Sequence, residues 1–132
     1  MAESAIDKKT VLIVDDDPHI VELVKDTLGA TAYIVLGAAS GYEALQTLHT
    51  QKVDMAIVDI MLSDGKMDGY EICKHIKKNK ETQRVPVLML SAKRELDDKL
   101  SAVDAGADDY MAKPFVPDEL AKRVRLNLFL NP

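Results

Sequence analysis

Apolar residues fall along this chain in short unbroken runs that alternate with stretches of helical period. Val11–Val14 is continuously apolar, the pattern of a strand covered on both faces. Pro18 then suits a first helical turn with Asp17 as its cap. Ile20, Leu23, Val24, Thr27 and Leu28 recur at helical spacing until Gly29. Tyr33–Leu36 reads as a second strand. Ser40 and Glu43 make a capping box that opens a helix carrying Ala44, Leu45 and Leu48. A third strand, Met55–Val58, stops at Asp59. A polar loop runs on to Asp68, and a helix beginning near Gly69 buries Ile72, Cys73 and Ile76. Pro86 introduces a fourth strand, Val87–Leu90. The helix after it carries Leu96, Leu100 and Val103 and closes at Gly106. Asp109–Ala112 is a short fifth strand, and Pro117 opens a last helix with Leu120, Val124 and Leu128 on one face.

Five strand-helix units in succession predict an α/β fold: a doubly wound, five-stranded parallel sheet with five helices on its two faces. Ligands of such sheets lie beyond the carboxyl ends of the strands, where the strand order reverses. The flavodoxin-like order 2-1-3-4-5 sets the first and third strands side by side. Asp15, Asp16 and Asp59 then become neighbours, with Ser91 and Lys113 just beyond the ends of the next two strands. Residues 10–130 are expected to form this one domain, behind a flexible segment 1–9.

Composition narrows the function. With 47% apolar and 30% charged residues, a 132-residue chain can build an ordinary core without staples. A net charge of −5 argues against direct nucleic-acid binding, which needs a basic face. No apolar run approaches the roughly 20 residues of a membrane span, and the polar N-terminus has no signal-peptide core. The expectation is a cytoplasmic protein, and its one cysteine, Cys73, cannot form an internal disulfide.

Grouped carboxylates repel one another and do not all stay ionised unaided. A hard divalent cation, Mg²⁺ or Mn²⁺, would resolve the conflict at Asp15, Asp16 and Asp59. Asp59 has the position of a nucleophile toward an activated phosphoryl group, giving an aspartyl phosphate. Lys113 would neutralise phosphoryl oxygens and Ser91 would donate a hydrogen bond to one, with small Ala92 leaving room. Plainer readings exist for each: Asp17 is better taken as a helix cap, Asp15 and Asp16 would suit a solvated turn, and Lys113 a surface position. It is the conjunction that favours a site. His19, His49 and His75 show no ligand spacing.

These residues resemble the receiver domains of bacterial two-component response regulators. The resemblance rests on VLIVDDDP at the start, AIVDIML around Asp59, MDGYEIC after it, VPVLMLSA in the fourth strand and AGADDYMAKPF near the end, and it covers residues 10 to 130. It implies that Asp59 accepts a phosphoryl group from a sensor histidine kinase or a histidine phosphotransfer protein. It implies that Asp15 and Asp16 hold Mg²⁺, with Asp16 the direct ligand and the Met61 backbone carbonyl a third. Ser91 and Lys113 would contact the phosphoryl group, and Tyr110 would turn inward as Ser91 moves. The output surface would be the fourth helix, fifth strand and fifth helix, acting on an effector domain or downstream protein. The Lys113–Pro114 bond would be cis, a state that only about 5–6% of X-Pro bonds adopt. Such a chain is a signalling phosphoacceptor that assists its own phosphorylation and slow dephosphorylation, rather than an enzyme.

The chain departs from the family pattern after Asp59. Ser63 stands where proline is common, and the Asp68-Gly69 pair arrives late, after the turn signal Asp64-Gly65 and Lys66. The longer loop is expected to alter access to Asp59 or recognition by the kinase. Met61 and Lys93 flank the site and are poorly suited to orient an attacking water, which predicts a long-lived phosphoryl state. Leu126, Phe129 and Leu130 exceed what one helix face needs, suggesting a homodimer or a missing neighbour, in a free-standing receiver or a piece of a longer regulator or hybrid kinase. The main rival is a haloacid dehalogenase-like phosphatase with Asp15 as nucleophile and Asp17 as acid/base. A flavin module lacks its phosphate loop.

Overall fold

The computed structural model describes residues 8–30, 33–62, 67–92 and 96–131. Strands and helices alternate throughout: β1 (Lys9–Val14), α1 (Pro18–Gly29), β2 (Tyr33–Ala38), α2 (Gly41–Thr50), β3 (Met55–Asp59), α3 (Gly69–Lys78), β4 (Val87–Ser91), α4 (Leu96–Asp104), β5 (Asp109–Ala112) and α5 (Pro117–Leu130). Every strand pairing is parallel, and the spatial order is β2-β1-β3-β4-β5, as the flavodoxin-like reading expected.

Side chains alternate across each strand, so the apolar runs sort into two cores. Leu12, Val14, Ala56, Val58 and Met89 face a layer that includes Ala44 of α2, Ile72, Cys73 and Ile76 of α3, and Ala102 of α4. Val11, Ile13, Met55, Ile57, Leu88 and Leu90 face Val24 and Leu28 of α1 and Leu120 and Val124 of α5. β1, β3 and β4 are buried from one layer to the other, which is why their sequences carry no polar alternation.

Several boundaries differ from the sequence reading. β1 begins at Lys9, before the apolar run, and β2 continues past Leu36 to Ala38. Gly29 is the last helical residue of α1, and the cap is Ala30 in a right-handed conformation. Gly106 is the described glycine with positive φ (91°), so it ends α4 as expected. At α2 the box is half formed: Ser40 accepts from the Glu43 N–H, while the Glu43 carboxylate takes Ala39 N–H. The complete box is at α3, between Asp68 and Glu71. The expected apolar face of α4 is corrected. Leu100 and Val103 are 53% and 67% exposed, and the segment packs through Ala102 and Ala105. Small residues let it lie close to the sheet and leave the larger ones outside. The Met1–Asp7 part of the expected lead-in and the Leu96 side chain lie outside the described residues.

Candidate functional site

Val14 pairs with Val58, so β1 and β3 end level with each other, and each run gives way to aspartate at that edge. Asp15 and Asp59 are buried, 1% and 5% exposed, while Asp16 is half-buried. One oxygen from each of Asp15, Asp16 and Asp59 lies within 4.8 Å of the others. β4 brings Ser91 to the same edge, 2% exposed, through pairing of Asp59 with Leu90 and of Ser91 with Ala112. Lys113 follows β5, and its backbone N–H donates to the Ser91 carbonyl at 2.7 Å. The Lys113–Pro114 bond is cis, as expected.

Lys113 is the cation that answers this charge. Its Nζ donates to Asp15 Oδ2 at 2.8 Å and lies 3.4 Å from Asp59 Oδ1. The other Asp15 oxygen accepts from Asp17 N–H at 2.9 Å. Burial, then the charge of Asp15, pushes the Asp59 carboxyl up from 3.8 to about 6, against the opposing pull of Lys113 and the Met61 N–H. Burial alone would lower the Lys113 ammonium, but its hydrogen bond to Asp15 and the charges of Asp59 and Asp15 outweigh this and leave it raised. One lysine therefore does not balance the acids. The donor set, three closely spaced carboxylates with hard oxygens, fits Mg²⁺.

Asp17 stands apart. Its carboxylate accepts from His19 N–H at 2.9 Å and caps α1, which begins at Pro18. That employment, with Asp15 locked by Lys113, does not favour the phosphatase reading, which needs Asp17 as an acid/base and Asp15 as a nucleophile.

The loop after Asp59 is held at its base. Gly69 N–H donates to the Ile60 carbonyl at 2.9 Å. A Cβ on Gly69 would collide with the Asp59 carbonyl oxygen and come within 2.7 Å of Ile60 Cα, so only glycine allows α3 to start this close. Met67 packs on Gly41, where an added Cβ would lie 2.9 Å from its sulfur. Sequence reasoning finds the helix start near Gly69 but neither of these close contacts. Met61 is exposed, and its N–H lies 3.4 Å from Asp59 Oδ1. Ser63, Asp64, Gly65, Lys66 and Lys93 lie outside the described residues. Tyr110 is half-buried on the side of the sheet that carries Ala102 and Ala105.

Comparison with known proteins agrees with this geometry. Residues 11–125 match the model of the response regulator receiver domain. The alkaline phosphatase synthesis transcriptional regulatory protein PhoP of Bacillus subtilis is 44% identical over 117 residues, which are 89% of this chain and 47% of that protein. The heme response regulator HssR of Staphylococcus saprophyticus is 43% identical over 88% of this chain and 50% of its own length. The chain thus spans about half the length of these curated relatives. Among solved structures, a CheY-like receiver domain protein from Methanospirillum hungatei superposes with a TM-score of 0.85 at 29% identity, covering 93% of this chain and 95% of that one. The signal receiver domain of a histidine kinase from Syntrophus aciditrophicus gives 0.83 at 31%, covering 91% and 89%. With a family match over most of its length and relatives this similar, the chain belongs to the response regulator receiver domains of two-component signalling.

Proposed function

We propose that Asp59 is the phosphoacceptor of this receiver. The observation that carries the reading is the contact of half-buried Lys113 with buried Asp15 and Asp59 at one strand edge, with half-buried Asp16 in the same carboxylate cluster. A carboxylate oxygen of Asp59 attacks the phosphorus of a phosphohistidine on a sensor histidine kinase or phosphotransfer protein. The phosphorus–nitrogen bond breaks as the aspartyl phosphate forms. Asp15 and Asp16 would hold Mg²⁺ (or Mn²⁺) with Asp59 and the Met61 backbone carbonyl, Asp16 being the direct ligand of the acidic pair. Bound there, the cation would neutralise the carboxylates and the phosphoryl oxygens. Lys113 binds a phosphoryl oxygen by shifting its ammonium from Asp15. Ser91 donates its hydroxyl to another.

The chain acts as a switch rather than an enzyme. The dianion on Asp59 draws Ser91 and Lys113 toward it, and Tyr110 turns inward into the space vacated. Support comes from the Ser91–Lys113 backbone bond and from the place of Tyr110 beside the α4 layer. The readout is the α4-β5-α5 surface, acting on an effector domain or downstream protein in the cytoplasm. Residues 10–130 are the receiver unit. No helix among the described residues is long and apolar enough to cross a membrane.

The test is treatment with acetyl phosphate and Mg²⁺, followed by mapping of the modified residue. The phosphoryl group is expected on Asp59, and Asp59→Asn should abolish it. Labelling of Asp15 with continuous turnover would overturn this reading in favour of the phosphatase.

A further inference from the structure

Among the methionines of the described residues, Met55, Met89 and Met111 are buried and Met67 is half-buried against Gly41, whereas Met61 is 69% exposed. It also borders the site, since its backbone N–H approaches Asp59 Oδ1 at 3.4 Å. A solvent-facing thioether is the form of methionine open to oxidation, and the product is polar where the parent was apolar.

We propose that Met61 is a site of reversible oxidation by hydroperoxides, and that its sulfoxide shortens the life of a phosphoryl group on Asp59. The second half rests on the proposed phosphorylation of Asp59. In the oxidation, a sulfur lone pair attacks one peroxide oxygen. The sulfur–oxygen bond forms as the oxygen–oxygen bond breaks, and the departing oxygen takes up a proton to leave as water or alcohol. Sulfur loses two electrons and the peroxide gains them. Sulfoxide reductases reverse the step with a thiol reductant. The thioether is only a weak hydrogen-bond acceptor. The sulfoxide oxygen is a strong one, carried by a residue next to the phosphoryl site, so it can hold a water for attack on phosphorus.

The experiment treats the full chain with hydrogen peroxide, maps added oxygen by peptide mass spectrometry, and follows loss of the phosphoryl group after acetyl phosphate and Mg²⁺. Met61 is expected to gain oxygen before Met67, with phosphoryl loss accelerated about fivefold, the effect of one neutral hydrogen bond on a barrier. Met61→Leu should make the decay insensitive to peroxide, and Met61→Gln, with a permanent amide acceptor, should decay faster without it. Oxygen reaching Met67 or a buried methionine first, or unchanged decay once Met61 is oxidised, would overturn the inference. A missing phosphoryl group on Asp59 in untreated protein would instead remove the proposed function and with it the rate effect, while the mass map would still test the oxidation.

Discussion

Asp59 is held in a place that does not suit its charge. Burial and the Asp15 carboxylate raise its pKa from 3.8 to about 6 even with Lys113 beside it. The folded chain therefore holds this proton more tightly than the unfolded one. Stability from this residue is complete below about pH 4 and is lost as the pH rises through about 6, because ionisation then costs more in the folded state. Asp59→Asn removes the penalty. Compared with the wild type without Mg²⁺, its gain in unfolding free energy should be near zero at about pH 4 and grow to about 1–3 kcal/mol above pH 6. Thermal denaturation of both proteins across this range checks it, and a constant difference would count against it. Added Mg²⁺ should narrow the gap above pH 6, since the cation rewards the ionised carboxylate that asparagine lacks.

At the scale of elements, the loop from β3 to α3 depends on how closely two backbones meet. Gly69→Ala should cost about 1–3 kcal/mol in chemical denaturation, since the Asp59 carbonyl and Ile60 Cα are backbone atoms that cannot swing aside. It should also slow phosphorylation by acetyl phosphate, because the collision falls on Asp59 itself. At the other end of the sheet, Lys77 of α3 donates to the Val85 carbonyl at 2.8 Å and to Asp108 at 2.7 Å, and Asp108 also accepts from Val87 N–H. This joins the starts of β4 and β5. Lys77→Met should destabilise the fold by about 0.5–1.5 kcal/mol and leave the modified residue unchanged, since it removes hydrogen bonds to the half-buried Val85 carbonyl and the exposed Asp108 far from the site. None of this was legible in the sequence. The strands were, because parallel strands buried on both faces are continuously apolar, and so were Asp15 and Asp59, which break those runs. Tertiary closeness leaves no such period. Gly69 looks like any turn glycine, and the α4 segment packs through Ala102 and, just past the helix, Ala105, which the apolar pattern ranks below Leu100 and Val103.

At the scale of the whole molecule, the question is how an event at one sheet edge reaches a distant surface. β5 provides a rigid link. Arg123 of α5 donates to Asp109 at 2.7 Å and to the Tyr110 carbonyl at 3.2 Å, and buried Asn127 donates to Asp109 at 3.0 Å. α5 is thus fastened to the strand that carries Tyr110 and leads to Lys113. Displacement of Lys113 toward a phosphoryl group would pull on this strand, and α5 would move with it. The outward side of α5 carries Leu126, Phe129 and Leu130, all more than half exposed, with Val116 ahead of them. Apolar side chains left in water favour association at roughly 25 cal/mol per Å² covered, and a moving helix can open or close such a surface. We expect phosphorylation with acetyl phosphate and Mg²⁺ to shift the protein from monomer toward dimer in sedimentation. Replacing Leu126 and Phe129 with glutamate should leave Asp59 modified as before and the protein monomeric. A phosphorylated wild type that stays monomeric at high concentration would assign the patch to an effector instead. Arg123→Ala separates the link from the surface: it keeps every apolar side chain, so a dimer that no longer responds to phosphorylation would place the transmission in the β5–α5 fastening.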